Sequence, residues 1–243
     1  VLFRSRWFRL GDRAAGPHGG AMKYVEPVWL PPPEQRRTDY YAHLRREIIE
    51  AVPEGCAVIL DVGCGKGTLG RWFKENGVKT VWGVELMHGP GEAAKQWLDQ
   101  VVVGNVEQTA LPFPPGSVDC IICADLLEHT ADPWIVVANL KKLLKPTGCI
   151  IASIPNVGFH RNIRRMIRGK WLYTDEGLLD RTHLRFFTFE TIEEMFARNG
   201  MAIEAVFKKV DAGVNIRVLN ALLLGYLRHT LYLQYIVRAR IKS

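Results

Sequence analysis

The sharpest chemical signal in the chain is VILDVGCGKG, Val58–Gly67, an apolar run that ends in Asp61 and passes into three glycines at alternate positions. Gly63, Gly65 and Gly67 allow a tight bend and a close backbone approach to a ligand, and the helix expected after them presents N–H groups at its start. Cys64 lies inside the bend. A second apolar run, WGVE, ends in Glu85 and is followed by Leu86, and a carboxylate at that point can accept from the two hydroxyls of a ribose. After a third run come Gly104, Asn105 and Val106, where an Asn carbonyl can accept from an exocyclic amino group and a Val can pack on the ring that carries it.

Dinucleotide sites use a related glycine turn, so the acid discriminates between ligands. Asp61 so close to the glycines would repel a pyrophosphate but attracts a cationic group, which points to S-adenosylmethionine with its methionyl end at Asp61. A purely structural glycine turn is the plainer alternative.

Asp125, Glu128 and His129 follow a fourth run, VDCIICA, whose last residue, Ala124, is expected to line the cofactor site. With an ordinary pKa near about 6.5, His129 is the expected general base for a hydroxyl acceptor, and the two carboxylates are expected to orient it. A turn capped by Asp125 or Glu128, with His129 hydrogen-bonded to it, would use the same residues without catalysis. No metal is assigned. Residues 156–187 have no clean period and exceed an ordinary connection in length, which marks a lid over a site. Within it, His160, Tyr173, Asp180, Arg181 and His183 are candidate acceptor-binding residues, since Arg offers a planar donor fork and Asp accepts from hydroxyls. Arg161, Arg164, Arg165 and Arg168 read as the solvated or anion-facing side of a short helix.

The elements that must hold these groups alternate. A helix over Thr38–Val52, with Tyr41, Leu44, Ile48 and Ile49 near one face, leads in. Strands are expected at Ala57–Asp61, Lys79–Glu85, Gln100–Val103, Val118–Ala124, Gly148–Ile154 and Ala202–Val210. Helices are expected at Thr68–Glu75, Glu92–Leu98, Pro133–Leu144, Thr188–Asn199 and Ile216–Arg228. From Leu231 the period of two predicts a last, half-covered strand at an antiparallel sheet edge. Such alternation predicts a mostly parallel sheet covered by helices on both faces.

The chain of 243 residues is 48% hydrophobic and 23% charged, which suits one folded α/β domain with appendages rather than a disordered chain. Residues 56–243 are assigned to that domain and 22–55 to an entry segment. Residues 1–21 are set aside as a non-native or disordered leader, since Val1–Ser5 reads as a translated sequencing adapter. The net charge of +7 is concentrated in 1–21, 156–187 and 205–243, so a basic rim favours an anionic substrate or surface, including peripheral contact with an anionic membrane. The interruption of the apolar stretch near Val218–Val237 by Arg228 and His229 disfavours a spanning helix. A nucleic-acid partner is not expected: there is no basic groove interleaved with aromatics and no Pro-Pro-aromatic site after the fourth strand. Five cysteines in apolar segments suit a reducing cytoplasm, and Cys120 and Cys123 fall on opposite faces of one strand.

DVGCGKG, GVEL, VVVGNVEQTALPFPPGSVDCIICADLLEHTADP and LKKLLKPTGCIIASIPNVG resemble, in order and spacing, the class I S-adenosylmethionine-dependent methyltransferases over roughly Tyr40–Gly158. The resemblance implies a Rossmann-like seven-stranded sheet with an antiparallel last strand. It places Asp61, Gly63, Gly65 and Gly67 at the methionyl end of the cofactor, Glu85 at its ribose, and Asn105, where many members have Asp, with Val106 at its adenine. The segment from Ile154 to Thr188 is similar to bacterial proteins of the methionine-biosynthesis-like group, often found with cell-surface glycan enzymes. That likeness implies O-methylation of a small-molecule or glycan-type acceptor, or else an accessory protein that binds the cofactor without transfer of its own. Asp125, Glu128 and His129 also resemble segments that hold a divalent metal in ubiquinone-biosynthesis O-methyltransferases.

Overall fold

The computed structural model describes residues 44–242. The expected leader and residues 38–43 of the expected entry helix, Tyr41 among them, lie outside the described residues; the described helix begins only at Arg46, after Leu44 and Arg45. The apolar runs form seven strands: β1 (Val58–Val62), β2 (Thr80–Glu85), β3 (Gln100–Val103), β4 (Val118–Ala124), β5 (Leu144–Pro155), β6 (Met201–Val210) and β7 (Tyr232–Ile241). They lie in one sheet of order β3-β2-β1-β4-β5-β7-β6. Pairing is parallel from β3 through β5, while β7 runs antiparallel to both β5 and β6. The fold is the Rossmann-like one expected.

Among the described residues, α1 (Arg46–Ala51) leads into β1, and the strands are connected by α2 (Thr68–Glu75), α3 (His88–Ala94), α4 (Pro133–Lys141), α5 (His160–Ile167), α6 (Phe189–Arg198) and α7 (Val214–Leu222). Leu69 and Phe73 recur four apart on α2 and bury one face with Ile59, Val81 and Leu98. On the other side of the sheet, Val137 and Leu140 of α4 and Ile192 and Phe196 of α6 pack with Leu60, Ile121 and Ile150. Two apolar layers thus cover a sheet whose central strands are buried on both faces, as parallel pairing requires.

Several boundaries differ from the expectation. The helix expected at Glu92–Leu98 forms earlier, at His88–Ala94, because Leu98 enters the core as part of the approach to β3. β5 begins at Leu144, so α4 stops at Lys141 before Pro146 is reached. The half-covered edge strand expected from Leu231 is corrected. β7 lies between β5 and β6 with Gln234, Tyr235, Ile236 and Val237 buried in succession, and β6 is the edge. An alternating pattern reports the faces of a strand but not its lateral neighbours.

Helix starts follow side-chain chemistry. Thr188 caps α6 by accepting from Thr191 N–H, and Gly200, at φ +65°, takes the left-handed turn after it. Asp132 caps α4 by accepting from Ile135 N–H at 3.1 Å, with Pro133 in the first turn. Asp132→Ala is expected to lower unfolding stability by about 1 kcal/mol, read as a lower urea midpoint at unchanged slope.

Candidate functional site

In the parallel register Asp61 stands opposite Gly83, and residues two apart on a strand share a face, so the Asp61 and Glu85 side chains project to the same side of adjacent strands. Both are buried, Asp61 to 3% and Glu85 to 6% exposure. Burial, and then the nearby Glu85 charge, push Asp61 up to about 7. The glycine bend lies against this pair. Gly63, Gly65 and Gly67 all have positive φ, and a Cβ on Gly67 would stand 3.2 Å from the Ala94 backbone. Gly63 and Cys64 N–H both donate to Val84 O. Gly65 N–H donates to Glu85 Oε2 at 2.8 Å and Met87 N–H to Oε1 at 2.9 Å. Glu85 therefore ties the bend to the end of β2, while each oxygen keeps a further lone pair for a hydroxyl.

Two acids buried together without an ion pair among the described residues suit a ligand that brings positive charge and hydroxyls. S-adenosylmethionine has an ammonium, a sulfonium and a ribose diol, and Asp61, Glu85 and the glycine bend fit them. The other expected contacts divide. Leu86 is exposed at the lip, and Val106 and Ala124 are half-buried. Asn105 Oδ1 already accepts from Glu107 N–H at 2.9 Å, which shapes the turn and leaves one lone pair for a ligand. Cys64, expected among the cofactor-binding residues, packs its thiol into the space that Gly83 leaves empty.

At the end of β4, Asp125 has φ +51°, a left-handed conformation rarely adopted by a residue with a side chain. A knot of contacts holds it there. Its carboxylate pairs with Arg45, accepts from Ser153 Oγ at 2.9 Å and from the Gln234 amide, and its own N–H donates to Ser153 Oγ at 3.0 Å. Arg45 also pairs with Glu47 at 2.8 Å. A cleft of about 500 Å³ opens beside the knot, lined by Arg45, Arg46, Asp125, Lys209 and Gln234 among others. Strain of this kind collects at functional positions.

His129 lies in a short 3-10 turn, Leu127–His129. The expected orientation by Asp125 and Glu128 is corrected, since Thr182 performs it. His129 Nδ1 stands 3.2 Å from Thr182 O and 3.0 Å from Thr182 Oγ1, and that hydroxyl donates to Asp180 Oδ1 at 2.7 Å. A carbonyl only accepts, so Nδ1 carries the proton and Nε2 presents a lone pair. Burial, then the neighbouring His183, lower the His129 pKa and keep the ring neutral. Among the described residues neither carboxylate oxygen of Glu128 has a hydrogen-bond partner, and burial, then Asp125, push this carboxyl well above its usual range. Glu128, His129 and His183 each offer a ligand atom within 4.8 Å of the others, a set able to hold a divalent cation. His183, rather than Asp125, completes that set.

Of the candidate acceptor residues, the lid brings Asp180 and His183 to His129, whose ring centroid is 4.7 Å from that of His183. Arg181 pairs with Asp175 at 3.1 Å, Tyr173 is exposed, and His160 Nδ1 stands 3.2 Å from Thr230 O, away from the His129 cluster. Arg45, Ser153 and Gln234 were not legible as site residues. No motif marks them, and they reach Asp125 only through the folded sheet, while Thr182 lies in the run Asp180–His183 that the sequence does mark but serves His129 there.

A family described as a methyltransferase domain matches residues 34–206. The chain is 30% identical over 104 residues to a ubiquinone biosynthesis O-methyltransferase of Acinetobacter baylyi, covering 40% of this chain and 43% of that protein. It is 29% identical over 120 residues to the protein of that name in Neisseria meningitidis, covering 46% and 50%. The matches thus span about half the length of these curated relatives or less. Among solved structures, an S-adenosylmethionine dependent methyltransferase from Mesorhizobium loti superposes with TM-score 0.58 at 19% identity, covering 80% of this chain and 96% of that one. A SAM dependent methyltransferase from Archaeoglobus fulgidus does so with TM-score 0.58 at 20% identity, covering 80% and 94%. The fold is shared with both, the family match extends over most of the sequence, and the chain therefore belongs to the methyltransferase domain family.

Proposed function

We propose that this chain transfers the methyl group of S-adenosylmethionine to a hydroxyl of a small-molecule acceptor. The observation that carries the reading is the buried pair Asp61 and Glu85 behind the glycine bend, a cradle whose charge calls for a cationic nucleoside. The donor supplies an electrophilic methyl on a sulfonium, so the protein's work is to orient the acceptor and remove its proton. His129 Nε2 is the base: the acceptor O–H gives up its proton to it as the oxygen gains the methyl, and S-adenosylhomocysteine leaves. Thr182, backed by Asp180, holds the ring in the tautomer that can accept. The names of the curated relatives support oxygen as the acceptor atom. A glycan-type acceptor of the cell envelope is supported by the resemblance of Ile154–Thr188 to the methionine-biosynthesis-like group. The five free cysteines, four of them buried, suit a reducing cytoplasm.

Isothermal titration with S-adenosylhomocysteine tests the cradle: Glu85→Ala is expected to weaken binding about 10- to 100-fold, and no heat with the wild-type protein at high ligand would refute the reading. His129→Ala is expected to lower turnover about 10²- to 10⁴-fold while S-adenosylhomocysteine affinity holds. Undiminished turnover would remove its role as base. Asp61 provides a further check. Its folded-state pKa of about 7 exceeds the ordinary 3.8, so the native carboxyl keeps a proton that the unfolded chain has already lost. Its stabilising contribution is present in acid and is lost as pH rises from the ordinary value through about 7. Ligand-free wild-type protein should therefore lose more stability than Asp61→Asn on going from mildly acidic to mildly alkaline buffer, measured by urea unfolding.

A further inference from the structure

The connection between β6 and β7, residues 211–231, is an arm with a fixed root and an uncovered shaft. Its root is held by polar bonds: Asn156 Nδ2 donates to His229 O at 2.9 Å and to Tyr232 O at 2.8 Å, and Arg161 pairs with Asp211 at 3.2 Å. The shaft, α7, buries none of its side chains although five of its nine residues are Val, Ile or Leu. Val214 is 75% exposed, Leu222 74%, Tyr226 86% and Leu224 97%, the last at φ +50° in the turn at the end of the helix. A bulky apolar residue held almost wholly in water, in a backbone region that disfavours side chains, gains nothing from the other described residues.

The surface beside the root has the same character with charge added. α5 exposes Met166 and Ile167 among Arg164, Arg165 and Arg168, and residues 156–174 contain no acid. The one acid of the arm, Asp211, is already paired with Arg161, while Arg217 and Arg228 remain exposed. Exposed apolar side chains set among unopposed arginines match a lipid surface with anionic headgroups, where the apolar groups enter the acyl boundary and the guanidinium groups meet phosphate. No helix among the described residues is long and apolar enough to cross a membrane, so the arm would lie in the interface.

We propose that α7, its following turn and the arginine face of α5 seat this protein on an anionic bilayer. Gln234, near the start of β7, pairs with Pro155 at the end of β5, so the arm springs from the sheet edge that carries Asp125 and the glycine bend. The seat therefore lies on the edge of the molecule that holds the proposed transfer site. The inference stands independently of which acceptor is methylated.

Co-sedimentation of the full chain with vesicles of phosphatidylcholine, alone or mixed with phosphatidylglycerol, tests the proposal. Binding to the mixed vesicles alone is expected, and it should weaken as salt is raised. Leu222→Ser with Leu224→Ser, and separately Arg164→Gln with Arg168→Gln, should each lower the vesicle-bound to free ratio about ten-fold or more. S-adenosylhomocysteine affinity, unchanged in both variants, reports intact folding. Equal binding to both vesicle types, or none to either, would overturn the proposal. So would a wild-type dimer in sedimentation velocity that the Leu222→Ser, Leu224→Ser change converts to monomer, because the face would then be covered by a second copy.

Discussion

Parallel, in-register pairing of β2, β1, β4 and β5 is the constraint from which the rest follows. Backbone hydrogen bonds align the carboxyl ends of these strands along one edge, and every loop that leaves them meets its neighbours there. Register places Asp61 beside Gly83 and sets Glu85 on the same face, one step beyond the strand that the glycine bend terminates. It also pairs Ala124 with Ser153, so that Asp125 emerges where the Ser153 hydroxyl can hold it. A slip of one residue would turn the acids into the opposite apolar layer.

Four carboxyl groups gather near this edge, and the fold treats each differently. Asp61 is buried and keeps a proton to near neutrality. Glu85 spends its oxygens on two backbone N–H groups. Asp125 is neutralised by Arg45 and pinned by Ser153 and Gln234, while the Glu128 carboxyl is enclosed with no hydrogen-bond partner among the described residues. The same functional group thereby meets separate environments: burial raises the pKa of Asp61 and of Glu128, while Glu85 is held by backbone N–H groups and Asp125 by an ion pair. The unpartnered Glu128 is stable in that position only as a neutral acid or beside a cation, and His129 and His183 lie within reach of it.

Residues 156–187 do more than cover the sheet edge. Thr182 and Asp180 come from a segment with no clean periodicity, yet Thr182 contacts His129 Nδ1 directly and sets its tautomer. Leu184 and Arg185 N–H both donate to Glu128 O, so the backbone of this segment is joined to the turn Leu127–His129 rather than draped over it. Opening this stretch would therefore also release the His129 ring.

Local order was legible in the chain. The glycine bend after Asp61, the acid ending WGVE, the span of α2 and the capping Thr188 all follow from short-range rules of backbone freedom, periodicity and hydrogen bonding, and each appears in the fold. What those rules cannot see is lateral position. Nothing in the alternation after Leu231 tells that β7 slides between β5 and β6, and nothing near Arg45 tells that its guanidinium closes on Asp125, eighty residues away. Spacing along a strand or helix is dictated by covalent geometry and is therefore written in the order of residues. Which strand lies beside which, and which polar groups then share a buried edge, depends on apolar surfaces and hydrogen bonds meeting at long range, and only the assembled sheet decides it.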